Sequence, residues 1–257
     1  MFRRIPCSRW RGVPVPLGKA WVAPAIMMLA LVTVHAPQAF AQAMPIAVTG
    51  WNADVILDVD TTARYAITMD NGSCCFFEAG AVDDIGTERD DGLPAGQMVV
   101  SATGSGALYQ IQPAKGKNGL QVYHRRSAAL TLVTPAPYSK LFVIAASGNG
   151  DQSGVPFPGV IHYDDGSTLS FTYNCFDWDD TNNPHPEEAI TGIGRACSIG
   201  DAGTAFSYDG SQRGHFFSLF ETAIATDNTK NITSIDFSGF PSARGGHISN
   251  IFAVSGQ

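Results

Sequence analysis

The sequence predicts an all-β protein, a two-sheet antiparallel β-sandwich of jelly-roll type, on three observations. Short runs of alternating apolar and polar residues recur along the chain. Gly, Asn, Asp or Pro separates them every eight to twelve residues, and no stretch sustains the 3.6-residue period of an amphipathic helix. The runs fall at 53–59, 98–102, 107–111, 120–124, 128–133, 140–146, 160–163, 168–173, 216–225, 232–237 and 248–254.

Turn chemistry lies between them. Asp70-Asn71-Gly72, Asp91-Gly92, Lys117-Asn118-Gly119, Gly148-Asn149-Gly150, Asp165-Gly166 and Asp209-Gly210 all tolerate positive φ. Tyr163-Asp164-Asp165-Gly166-Ser167 is the clearest hairpin, and its flanking strands are expected to pair directly. Phe217 to Ile224 is long enough for two helical turns, but Thr222, Ile224 and Thr226 alternate with Ala223 and Ala225, which assigns it to a strand. No period of 20–50 residues marks a solenoid or propeller, and no Pro/Ser/Thr-rich linker divides the chain. Residues 42–257 therefore read as one domain of about twelve strands in two packed sheets.

Residues 1–41 read as an export signal. Arg3, Arg4, Arg9, Arg11 and Lys19 form a basic start, Ala25 to Val34 an apolar core, and Ala39-Phe40-Ala41 a small-x-small cleavage site, so the mature protein is expected to begin near Gln42. The apolar core is about ten residues long, short of the roughly 20 that span a bilayer. The expected location is secreted, periplasmic or extracellular, with no membrane insertion after cleavage.

Removing residues 1–41 takes away five basic and no acidic residues, leaving 11 Lys and Arg against 23 Asp and Glu. A chain with a net charge of about −12 is repelled by nucleic acid and by anionic membrane surfaces, both of which demand a basic face. The hydrophobic content of 44% argues against disorder.

Four cysteines remain after cleavage: Cys74, Cys75, Cys175 and Cys197. In an oxidising compartment an even number implies bridges, and four cysteines permit three pairings. The preferred pairing is Cys175 with Cys197, which would close the longest polar loop. Cys74-Cys75 is adjacent and is left open between two thiols, a vicinal bridge and cross-pairing.

Gly50-Trp51-Asn52-Ala53-Asp54-Val55, Gly92-Leu93-Pro94, Pro135-Ala136-Pro137-Tyr138-Ser139-Lys140-Leu141, Ala146-Ser147-Gly148-Asn149-Gly150, Tyr163-Asp164-Asp165-Gly166-Ser167, Asp177-Trp178 and the closing 250–256 follow one another along nearly all of the mature chain. In this order the segments resemble bacterial secreted β-sandwich modules akin to galactose-binding-like domains and carbohydrate-binding modules. The resemblance implies glycan binding through loops at one end of the sandwich and a structural calcium ion; it fixes no sugar-contacting residue.

The densest polar constellation runs from Asn174 to Cys197. Within it Asp177, Trp178, His185, Glu187 and Arg195 are the candidate ligand-binding residues: an indole offers an apolar face to the axial C–H groups of a pyranose, and acids and amides take its hydroxyls. Asp177, Asp179, Asp180 and Asn182, with Asn183, place hard oxygens within seven residues, a density that suits Ca²⁺. The run departs from the EF-hand loop, with Thr181 at its fifth position and no Gly at the sixth. Asp83, Asp84, Glu88, Asp90 and Asp91 form a second oxygen-rich candidate.

Neither G-x-S-x-G nor H-E-x-x-H occurs, and His124, His162, His215 and His247 are scattered. The expectation is a secreted, non-catalytic glycan-binding protein whose partner is a carbohydrate or extracellular polysaccharide. A polysaccharide-degrading hydrolase using Asp177 with Glu187 or Glu188 is the first rival, and a structural or adhesive envelope protein the second.

Overall fold

A computed structural model describes residues 42–59, 68–70, 72, 74–83, 85–149, 156–179, 185–199, 205–210, 216–240 and 247–257. Among them there is no helix. The central sheet runs in the order β1 (Met44–Pro45), β19 (Ile248–Gly256), β11 (Lys140–Gly148), β17 (Phe217–Ala225), β14 (Glu188–Ile193), and β9 (Leu120–Tyr123) joins β1 along the outer side of β19. A second sheet runs β13 (Thr168–Asn174), β12 (Pro156–Tyr163), β18 (Ile232–Ser238), β10 (Ser127–Ala136), β2 (Val48–Thr49). Both sheets are antiparallel throughout, as the alternating runs predict.

The second sheet follows the simple rule for a half-covered layer. In β10, Leu130 and Leu132 point inward between exposed neighbours, and in β12 Phe157, Ile161 and Tyr163 do the same. These residues meet Leu141, Val143, Ala145, Ile251 and Val254 of the central sheet in one apolar cluster, which is the sandwich core. The predicted hairpin at Tyr163–Ser167 joins β12 to β13, with Gly166 at φ 80°. Across this pair Gly159 faces Phe171, and a Cβ at 159 would strike the Phe171 ring, so the missing side chain lets the ring lie flat on the strand.

The central sheet does not alternate. All of β19 is buried, and β11 is buried from Leu141 to Gly148, because a further layer covers the opposite face. That layer consists of a four-stranded sheet, β16 (Ala205–Asp209), β15 (Arg195–Ile199), β4 (Cys74–Phe77), β3 (Ile56–Leu57), and two hairpins, β5 (Ala81–Val82) with β6 (Glu88–Arg89) and β7 (Met98–Val100) with β8 (Leu108–Gln110). A second core forms there from Phe142, Ile144, Phe217, Leu219 and Phe252 of the central sheet with Ile56, Phe76, Tyr109 and Ile111 of the covering layer. The two-sheet sandwich of the sequence reading is present, with this third layer added.

Asn118 ties the covering layer to its loops. Its Oδ1 accepts the N–H groups of Val55 (2.7 Å) and Ile56 (3.2 Å), and its Nδ2 donates to Asp54 Oδ1 (2.7 Å) and Ala114 O (2.7 Å). Burial pushes the Asp54 carboxyl up from 3.8 to about 6, the Asn118 amide pulling it down and the Asp58 charge pushing it further up.

The cysteine pairing differs from the expectation. Cys197 bonds to Cys74, not Cys175, because Cys74 of β4 and Cys197 of β15 stand directly opposite each other in register. Cys175 packs in the sandwich core beside Tyr173, whereas Cys197 packs against the core on the other side of the central sheet, so the expected bridge is barred by an intervening layer. Cys75 and Cys175 are buried free thiols.

Two outcomes are expected. Non-reducing peptide mapping finds Cys74 linked to Cys197, and the Cys74→Ser/Cys197→Ser variant loses roughly 2–5 kcal/mol in urea unfolding, since the bridge closes a loop of 123 residues. Folding favours the neutral form of Asp54, so its contribution is complete below about pH 4 and is lost as the pH rises through about 6. Asp54→Asn is therefore expected to flatten the melting-temperature profile across that window.

Candidate functional site

The apolar face that β11 and β17 turn toward the covering layer runs out at one end of the sheet. Going along β11, Ile144 and Phe142 give way to Lys140, and directly across on β17 the register partners are Glu221, Ala223 and Ala225. At this end the sheet opens into a cleft of about 570 Å³, lined by Lys140, Phe142, Pro186, Glu187, Glu221 and Ala223 together with residues 103–105 and Gln257. Among its lining residues is Glu221, a carboxylate only 7% exposed.

A carboxylate in that position is costly unless its oxygens are hydrogen-bonded. The loop between β7 and β8 supplies the bonds. Thr103 Oγ1 donates to Oε1 of Glu221 (2.8 Å), while Ser105 Oγ (2.9 Å) and the buried Tyr109 hydroxyl (2.8 Å) donate to Oε2. Thr103 spends its one proton on Glu221, so in its contact with Ser101 Oγ (2.9 Å) Ser101 is the donor.

The same three loop hydroxyls accept backbone N–H groups two residues on: Ser101 from Thr103, Thr103 from Ser105 and Ser105 from Ala107. Positive φ at Gly104 (82°) and Gly106 (71°) lets the loop fold this tightly over one side chain. Burial first, and then the Glu221 charge, hold the Tyr109 phenol far above its ordinary value, which keeps it a donor.

Glu187 reaches the rim from the residues before β14, and its carbonyl accepts the Glu221 N–H (2.7 Å), so the two glutamates are held on adjacent chain segments. Lys140 completes the rim, with its Nζ 5.6 Å from the Phe142 ring centroid.

Of the residues proposed from sequence, only Glu187 lines this cleft. Trp178 is 2% exposed and packed against Phe76 (5.0 Å) and Phe217 (5.1 Å), so its face is not offered to a pyranose. It is drawn inward because segment 176–178 adds to the end of the central sheet: Ser147 N–H donates to Phe176 O, Trp178 N–H to Ser147 O and Ser218 N–H to Trp178 O.

Arg195 lies over Phe217 (4.6 Å) with its guanidinium 3.4 Å from Asp179 Oδ2. Asp177 Oδ1 accepts the Asp179 N–H (3.1 Å). His185 stacks on Phe176 at 4.2 Å and meets the edge of Phe220. The expected ligand face is thus divided between packing against the second core and the cleft rim.

Asp180 and Asn182, proposed with Asp177 and Asp179 as Ca²⁺ ligands, lie outside the described residues, as does Asn183. Among the described residues no group of three His, Cys, Asp or Glu side chains is arranged to hold a metal ion. In the second oxygen-rich segment the cation is internal: Arg89, 3% exposed at its side chain, bonds Asp91 through two nitrogens (3.0 and 2.8 Å) and approaches Asp83 at 3.9 Å.

No protein-family model and no curated protein matches the chain.

The cleft's central residue has a signal in the sequence that the motif search passes over. Glu221 is a lone charge in the run Phe217-Ser218-Leu219-Phe220-Glu221, and Ser101-Ala102-Thr103-Gly104-Ser105-Gly106 is the hydroxyl-rich segment that meets it. A charge inside an apolar strand demands partners. Tyr109→Phe, which removes one of them without opening a large cavity, is expected to cost about 1.5–3 kcal/mol in urea unfolding.

Proposed function

We propose that the protein is an exported, non-catalytic glycan-binding module that takes its ligand in the Glu221 cleft and not on the Trp178 loop. The observation that supports this most is the composition of the cleft. Glu187, Glu221 and Gln257 line it together with the apolar residues Phe142, Pro186 and Ala223. Hydroxyl groups of a sugar are met by the first set, its C–H faces by the second. The disulfide between Cys74 and Cys197 is consistent with an oxidising compartment.

A second reading, hydrolysis of a glycosidic bond, is favoured by one fact: two glutamates line a single cleft. The two readings separate in one experiment. A glycan array run with and without EDTA, followed by a reducing-end assay on whatever binds, is expected to show binding without release of reducing ends. Glu187→Gln is expected to weaken that binding about tenfold while the melting temperature stays within a few degrees. Release of reducing ends, abolished by the same substitution, would establish the hydrolase instead. A flat array would favour a structural or adhesive role.

A further inference from the structure

Resting on the glycan-binding reading, we propose that the Glu221 cleft selects sugars that carry a free ammonium group, as in 2-amino-2-deoxy sugars, over neutral, N-acetylated or uronate sugars. The inference comes from counting donors and acceptors. An ionised carboxylate offers about four lone-pair positions. Oε2 of Glu221 receives two O–H donors, from Ser105 and Tyr109, whereas Oε1 receives one, from Thr103. One acceptor position of Oε1 is left.

The hydroxyls of the loop that covers Glu221 have no proton left for a ligand. Thr103 and Ser105 each commit their only proton to the carboxylate, and Ser101 commits its own to Thr103. Their backbone-facing lone pairs are taken by N–H groups of the same loop. At the Glu221 end of the cleft the open capacity is therefore an acceptor, which an occupant meets with protons of its own, while Lys140 and Gln257 are the lining residues whose side chains carry N–H donors.

Charge points the same way. Two glutamates and one lysine line the cleft. Every hydrogen bond that reaches the Glu221 carboxylate comes from a neutral hydroxyl, so its charge is solvated but not neutralised. An ammonium supplies three donors and the missing positive charge together. N-acetylation removes the charge and leaves one N–H donor of the three, and a uronate adds a third negative group to the two glutamates.

The test is calorimetric titration of the protein with four probes at low ionic strength, at a pH where the amine is protonated. The probes are a glucosamine tetramer, its fully N-acetylated counterpart, a glucose tetramer of the same linkage, and spermidine as an ammonium carrier without a pyranose. The glucosamine tetramer is expected to bind about tenfold or more tighter than the other three. Its advantage should shrink as salt is added, and should fall below threefold in Glu187→Gln at unchanged melting temperature.

Equal or tighter binding of either uncharged tetramer overturns the ammonium selectivity and leaves the glycan reading standing. Spermidine binding as tightly as the glucosamine tetramer overturns the sugar component. Absence of binding by all four, together with a flat glycan array, overturns both proposals.

Discussion

The architecture depends on one constraint: the central sheet is buried on both faces. β11 and β19 lie side by side in its middle, and each contributes to two cores at once. Leu141, Val143, Ile251 and Val254 face the sandwich core, while Phe142, Ile144, Phe252 and Ala253 face the second core. The short-stranded layer adds a small cluster of its own, Leu57, Cys75, Phe77, Ala81, Ala196 and Tyr208, but the two large cores both use the central sheet as a wall. Removing water from two faces of one sheet is what makes nine-residue strands out of such apolar sequence, since a half-exposed sheet would call for alternation.

Burial of that kind makes every polar side chain on the sheet an exception to be satisfied locally. Asn250, fully buried on β19, receives a hydrogen bond at its Oδ1 from Gln121 of β9 (3.0 Å) and donates to Met69 O (3.2 Å), tying segment 68–70 across the sheet edge. Ser249 meets the Tyr173 hydroxyl at 2.9 Å between the two sheets. Glu221 is the most demanding case, and the β7–β8 loop is shaped around it. The feature offered as a binding site is in this sense also a solution to a folding problem, and one carboxylate serves both ends.

Much of the strand layout was legible because alternation and turn residues are local properties. β10, β12, β13 and β18 fall where runs of period two predict them, and the Tyr163–Ser167 turn joins the strands it separates. Segment 217–225, ambiguous by pattern, is a strand paired on both sides, with β11 and β14, and buried at Phe217, Leu219, Phe220, Glu221 and Ile224. The third layer was legible only in part: β3, β7 and β8 fall within the runs at 53–59, 98–102 and 107–111, whereas β4, β5, β6, β15 and β16, two to five residues long, are too short for periodicity to register, and the order of the strands is set by contacts between distant segments.

The disulfide failed for a related reason, since only the three-dimensional stacking shows that Cys175 and Cys197 face opposite sides of one sheet. Trp178 misled because an aromatic in an acidic loop has the same appearance in sequence whether it faces solvent or plugs a sheet end. Glu187 was found for its loop, whereas Glu221 was passed over because a strand had been read as scaffold alone.

The position of β19 has a temporal consequence. It comes after every other described strand in the sequence, yet it stands between β1 and β11 and walls both cores. Until that stretch is available the earlier strands have partners on one side only, and neither apolar layer has its common partition. Such wiring, dominated by pairings between residues far apart along the chain, delays closure until β19 has been made. A polypeptide of this design stays open, and hence accessible to chaperones, for as long as that strand is withheld.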